Sequence, residues 1–199
     1  MNTSKLLILF RLIIAPIIIS SAYFLGENSK PIILSLILLG LLSDIFDGII
    51  ARKQKISSES LRRMDSQVDM IFWLSIGIAT WILYPTLIKN NAFSIWTILA
   101  MEVSCYVISL LKFKKETCTN TFLSKLWGLS LLACFISLIG FNHAGFPFHF
   151  CITLGLVSHI DRILITLILP KWTHDIPSAY HAYLIRQGIP FKKHDYLNS

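Results

Sequence analysis

The sequence predicts an all-α membrane protein with six transmembrane helices, and three observations lead there. Of its 199 residues, 54% are hydrophobic and only 15% charged, whereas an ordinary soluble domain carries about a quarter charged residues. The apolar residues gather in six runs, each close to the roughly twenty residues that span a bilayer core. Lys and Arg collect in the segments after every second run, the asymmetry that orients helices in a membrane. A soluble chain of this length would form one core and would not need apolar runs so long or so numerous.

The first run covers Leu6 to Leu25, with Lys5 and Arg11 near its start. Gly26-Glu27-Asn28-Ser29-Lys30-Pro31 is turn chemistry and ends it. The second, Ile32 to Ile50, is followed by Arg52, Lys53, Lys55, Arg62 and Arg63. The third opens at Asp65 and Asp69 and continues through Trp73 to Tyr84-Pro85, with Lys89 alone in the loop that ends at Asn90-Asn91. The fourth, Phe93 to Leu111, leads into Lys112, Lys114 and Lys115, then the polar stretch Thr117 to Thr121 and Lys125. The fifth, Leu126 to Phe141, ends in an uncharged turn, Asn142 to Pro147. The sixth, Phe148 to Leu169, stops at Pro170-Lys171-Trp172, an interfacial anchor. Basic charge therefore follows runs two, four and six, which places both termini in the cytoplasm. One membrane domain is expected over residues 1–171, with a polar cytoplasmic tail over 172–199 containing a short helix near 178–187.

The net charge of +7 follows this membrane pattern and does not form a basic nucleic-acid face, so no nucleic-acid partner is expected. The four cysteines, Cys105, Cys118, Cys134 and Cys151, lack CxxC spacing. They read as small packing residues and not as a zinc or disulfide framework.

One stretch breaks the apolar pattern. Asp44 and Asp47 end the second run, and Asp65 and Asp69 begin the third. A charged side chain at mid-membrane costs roughly 2.5–3.5 kcal/mol on insertion scales, so four without a purpose are improbable. Residues three or four apart share a helix face, so each pair points one way and two facing helices can bring all four together. Hard oxygen ligands of this kind suit Mg²⁺ or Mn²⁺, and Mg²⁺ commonly joins carboxylates to substrate phosphates. Gly48 and Ala51 leave room for a ligand to approach the helix backbone, and Arg52 could pair with a phosphate bidentately. Gly48 and Ala51 also fit plain small-residue helix packing. The basic flanks put this site at the cytoplasmic ends of predicted helices 2 and 3.

The pattern from Asp44 through Asp47-Gly48, Ala51-Arg52, Asp65 and Asp69 resembles the signature of the CDP-alcohol phosphatidyltransferase family. That resemblance implies six transmembrane helices, a homodimer, and displacement of CMP from a CDP-activated lipid or alcohol by a hydroxyl group with Mg²⁺ or Mn²⁺. It implies Asp44, Asp47 and Asp65 as metal ligands, and Asp69 as general base that also touches a metal. It implies Gly48, Ala51 and Arg52 as the lining for the CDP moiety. Where the family has Gly before the second acid pair, this chain has Leu61, which could crowd the nucleotide or shift the start of helix 3. The segment Leu9 to Pro16 loosely resembles the start of phosphatidylglycerophosphate synthases, without their upstream Asn and Thr.

The expected reaction belongs to phospholipid biosynthesis, with CDP-diacylglycerol as donor and a small alcohol as acceptor, in a bacterial inner membrane. Glycerol 3-phosphate, inositol phosphate and serine stay open as acceptors, as does the reverse pairing of a CDP-alcohol with a lipid acceptor. Two other functions compete. An intramembrane prenyltransferase also binds a diphosphate through aspartates and Mg²⁺, but lacks the Gly48-x2-Ala51-Arg52 continuation. A small cation transporter would hold its acids near mid-membrane on broken helices. Arg11 could reach a phosphate of a bound lipid nucleotide or snorkel to the interface. Lys112, Lys114, Lys115 and Lys125 could hold an acceptor's phosphate or anchor lipid headgroups. Intramembrane charges usually pair: Glu102 with Arg162 is one feasible pair, read first as a structural ion pair or a dimer contact and second as part of another polar site with His159 and Asp161.

Overall fold

The computed structural model describes residues 3–53, 59–115, 121–173 and 176–189. Among them every regular element is helical. The helices are α1 (Thr3–Leu25), α2 (Lys30–Lys53), α3 (Glu59–Leu83), α4 (Pro85–Asn90), α5 (Ala92–Phe113), α6 (Phe122–Phe135), α7 (Phe146–Ile168) and α8 (Ala179–Arg186). A 3-10 turn, Gly26–Ser29, joins α1 to α2, and a π-helical segment, Ile136–Gly140, extends α6. The six apolar runs fall on α1, α2, α3, α5, α6 and α7.

Among the described residues, five segments are long and apolar enough to cross a membrane: Thr3–Ile50, Ser60–Leu83, Ala92–Phe113, Phe122–Gly140 and Phe146–Ile168. The first is 48 residues long and contains both α1 and α2. Its break falls at Gly26, whose φ of 52° lies in the left-handed region that glycine enters without a Cβ penalty. Ser29 then closes the turn by donating its hydroxyl to Gly26 O at 2.6 Å. Large apolar side chains such as Phe24, Leu39, Trp81, Phe93, Val103 and Leu111 point outward. A water-facing surface of this kind would be an association hazard, whereas hydrocarbon is its natural solvent. The protein is an integral membrane protein.

The helices outrun the apolar runs. α2 continues to Lys53 and α3 begins at Glu59, ahead of Asp65. Hydropathy marks only the apolar part of a helix, while Glu, Leu, Arg and Met all sustain helical backbone beyond it. Between Tyr84 and Asn91 the expected loop is instead the one-and-a-half-turn α4, started by Pro85, whose fixed φ suits a first helical position.

The chain forms two compact units. The first comprises Met1–Asn91 and Leu132–Gly145. In it α1 packs on both α2 and α3, through a seam at Ser4, Ile8, Arg11, Ala15, Ile18 and Ala22. That spacing alternates four and three residues, a narrow stripe along one helix face. Pro16 lies off the seam on the exposed side. The second unit comprises Ala92–Leu131 and Phe146–Ser199, in which α5 packs on α7 and α7 on α8. The expected helix near 178–187 is α8. It is held to α7 by an apolar cluster of Ile165, Leu169, Ile176 and Ala182. Asp161 of α7 accepts a hydrogen bond from Ala179 N at 2.9 Å, satisfying one of the backbone donors that a helix start leaves open.

Candidate active site

α2 carries Asp44 and Asp47 one turn apart, and α3 carries Asp65 and Asp69 one turn apart. Helical spacing puts each pair on one face, and the packing of the first unit turns both faces toward α1. One turn further along, Gly40 of α2 meets the ring of Phe72 of α3. A Cβ built on Gly40 would lie 2.7 Å from Phe72 Cε2 and 3.0 Å from Cε1. A Cβ there would force the ring or the helices to shift, and the contact lies one turn from the two acid pairs. Asp44, Asp47 and Asp65 each offer an oxygen within 4.8 Å of the others.

Arg11 of α1 occupies that volume. Its side chain is 0% exposed and its guanidinium contacts all four carboxylates. Nη1 donates to Asp44 Oδ1 at 2.8 Å and also to Asp69. Nη2 donates to Asp65 Oδ1 at 2.5 Å and also to Asp47. Each terminal nitrogen thus bridges one acid of α2 and one of α3, the planar fork geometry that distinguishes Arg from Lys. Ser43 adds a hydrogen bond from its hydroxyl to Leu7 O at 3.1 Å, tying α2 to the backbone of α1 beside the site. Asp47 is the deepest acid, 6% exposed, while Asp44 is 39% and Asp69 32% exposed, so the cluster opens to one side.

One guanidinium against four carboxylates leaves the group net negative. The donors are hard, anionic and convergent, which fits a divalent metal such as Mg²⁺ or Mn²⁺ better than a soft or neutral ligand. Asp44, Asp47 and Asp65 could hold such an ion; Asp69 joins them through the shared Nη1 of Arg11.

Gly48 lies on α2 one residue beyond Asp47 and is half-buried. Ala51 and Arg52 continue the same helix, and their side chains fall outside the described residues, as does the loop with Lys55. Leu61 sits within the first turn of α3, which begins ahead of it at Glu59. Its side chain is buried with Ile8 and Val68, and Met64 packs against them. The bulk at this position is thus spent against α1, one turn from Arg11.

Arg11 does not snorkel, because no part of its side chain reaches the surface. Its role as common partner of the acids was not read from the sequence. The available signal was a cation buried in an apolar run, which must find carboxylates somewhere in the fold.

In the second unit, Glu102 of α5 pairs with Arg162 of α7 as expected. The contact is bidentate, 2.7 Å from Nη1 to Oε2 and 3.2 Å from Nη2 to Oε1. His159 Nε2 lies 2.7 Å from the same Oε2, and its Nδ1 lies 2.5 Å from Gly155 O. Trp127 packs edge-on against the imidazole at 4.7 Å. This is a buried brace between α5 and α7. Glu102→Ala leaves Arg162 without its carboxylate and is expected to cost about 3 kcal/mol, the penalty for breaking a buried ion pair. A thermal unfolding midpoint equal to wild type would show that the pair carries no such load.

Two of the lysines grouped as possible phosphate or headgroup contacts have partners within the protein. Lys112 Nζ donates to Thr166 O at 3.1 Å and Leu167 O at 2.6 Å, closing carbonyls at the end of α7. Lys115 Nζ stands 4.7 Å over the ring of Trp172. Residues 117–120 of the polar stretch, with Cys118, lie outside the described residues, while Cys105, Cys134 and Cys151 are free and buried.

Apolar helices that carry a cluster of carboxylates able to hold a metal ion define the class of protein by architecture: a helical membrane protein with an acidic site. The family model of the CDP-alcohol phosphatidyltransferases matches residues 1–168, which is most of the chain and includes α1 to α7. The chain belongs to that family, whose members transfer a phosphatidyl group from a CDP-alcohol in phospholipid synthesis and typically depend on a divalent metal. Comparison with curated proteins and with solved structures gives no match.

Proposed function

We propose that the protein transfers a phosphatidyl group from CDP-diacylglycerol to the hydroxyl of a small alcohol and releases CMP. The observation that carries this reading is the convergence of Asp44, Asp47, Asp65 and Asp69 on one point at the facing ends of α2 and α3. Asp44, Asp47 and Asp65 hold Mg²⁺ or Mn²⁺. When bound, the metal polarises the phosphoryl oxygens and neutralises the charge of the departing CMP. Gly48, Ala51 and Arg52 line the CDP moiety, with Arg52 paired to a phosphate. Asp69 accepts the proton of the incoming hydroxyl. The acceptor oxygen then bonds to the lipid-bearing phosphorus as the bond from that phosphorus to the CMP oxygen breaks.

α1 and α2 are read as separate crossings, since 48 helical residues would extend about 72 Å against a hydrocarbon core of about 30 Å. Six crossings follow, with both termini and the carboxylate site on the cytoplasmic side of a bacterial inner membrane. Residues 1–171 form the membrane domain, residues 172–199 the cytoplasmic tail, and the enzyme works as a homodimer. The test is CMP release by the purified protein from CDP-diacylglycerol, with and without Mn²⁺, against a panel of glycerol 3-phosphate, inositol phosphate and serine. Release that needs both metal and one acceptor supports the proposal. Release only from a CDP-alcohol with a lipid acceptor reverses the donor assignment, and no release under any pairing overturns it.

A further inference from the structure

The carboxylates proposed as metal ligands are the same ones that bind Arg11. Its two terminal nitrogens take up all four acids, one from α2 and one from α3 each. The side chain has no exposed surface, and Nε has no hydrogen-bond partner, so the whole affinity of the guanidinium is directed at these oxygens. Such a contact is charge-assisted on every arm.

A divalent ion drawn to Asp44, Asp47 and Asp65 must share them with a cation already at their centre. Like charges a few ångströms apart in a poorly solvated site repel strongly. Each arm engages one oxygen of its carboxylate, so the competition is one of charge and of space at the centre of the cluster. Occupancy by one cation therefore weakens binding of the other, and by linkage the effect is mutual.

We propose that Arg11 is a resident counter-cation that competes with divalent metal for the four aspartates and thereby sets the metal affinity of the site. This rests on the reading of the aspartates as a metal site. Arg11 holds α2 and α3 together through the acids, and metal entry requires the guanidinium to release them. The position on α1 makes this a device of the fold: Ile8, one turn before Arg11, is pinned by Leu61 and Val68, and Ala15, one turn after it, lies on the same buried seam. The base of the side chain is fixed on this seam, so the competition acts at the guanidinium.

The test is Mn²⁺ binding to the full chain in detergent, read by the electron paramagnetic resonance of free Mn²⁺, for wild type, Arg11→Met and Arg11→Lys. Arg11→Met is expected to bind Mn²⁺ about tenfold more tightly than wild type or better, within the range typical of linked sites. Arg11→Lys keeps the charge but loses the fork, and should fall between them. Thermal unfolding gives an independent readout. The melting temperature of Arg11→Met should depend far more steeply on Mn²⁺ than that of wild type, because metal alone then offsets the repulsion among the acids. Equal or weaker Mn²⁺ affinity in the variants overturns the competition. Should Arg11→Met not fold, the affinity of Arg11→Lys against wild type decides. No Mn²⁺ binding by any of the three strikes the metal site itself, and CMP release by wild type tests the transferase reading separately.

Discussion

Asp69→Asn is expected to lower the turnover of CMP release by about 10²- to 10⁴-fold, the range ascribed to a positioned general base. The substitution is informative because asparagine keeps the size of aspartate and a carbonyl oxygen that can still accept from Arg11 Nη1. The amide cannot take a proton from an attacking hydroxyl. The KM for the CDP-activated lipid should change little, since a base acts on the reacting proton and not on ground-state binding. Asp44→Asn, Asp47→Asn and Asp65→Asn should behave differently. Each removes a charged oxygen from the group that can hold a cation, so the Mn²⁺ concentration needed for half-maximal rate should rise. Steady-state CMP release at saturating metal separates the two roles. Near wild-type turnover in Asp69→Asn removes it from the proton transfer, and a loss cured by excess Mn²⁺ makes it a ligand instead.

The acid cluster was legible in the sequence because its logic is local. Asp44 with Asp47 and Asp65 with Asp69 obey helical spacing, and each pair abuts an apolar run, so their common faces follow from periodicity alone. Helix identity was legible for the same reason, down to α8 with Ser178 and Gln187 at its two caps. The partners of these elements were not. Arg11 lies 33 residues from Asp44 and 58 from Asp69, and no local pattern states which face of α1 meets which helix. Lys112 reads in sequence as a lipid-headgroup anchor or a holder of an acceptor's phosphate because it stands among other lysines, and only the packing of α5 on α7 shows its Nζ donating to the carbonyls near the end of α7. Leu61 departs from the motif, and its burial against Ile8 appears only once α1 is placed beside α3. Where a residue's meaning depends on a helix distant in sequence, hydropathy and spacing fall silent.

Gly40 is a position where such a long-range dependence can be disturbed without touching the chemistry. It carries no chemistry and lies outside the motif, but it is four residues before Asp44, and Phe72 is three residues after Asp69. Their contact therefore lies on the faces that bear the acids, one turn from the site. A Cβ on Gly40 would come within 2.7 Å of Phe72 Cε2 and closer still to Cζ. The ring cannot simply step aside. Phe72 is 2% exposed and set edge-on to Trp73 at 5.4 Å, which stacks in turn on Phe135 at 6.0 Å. The remaining response is separation of α2 from α3, which draws Asp44 and Asp47 away from Asp65 and Asp69. Gly40→Ala should cost about 1–3 kcal/mol through overpacking. Gly40→Leu should reduce CMP release by about 100-fold or more, since a displacement near 1 Å at reacting groups has that effect. Phe72→Leu placed on Gly40→Ala relieves the clash, so the double variant should unfold at a higher temperature than Gly40→Ala alone, a non-additivity expected only of residues in contact. A wild-type melting temperature and rate in Gly40→Ala would show that the separation of α2 and α3 is set elsewhere.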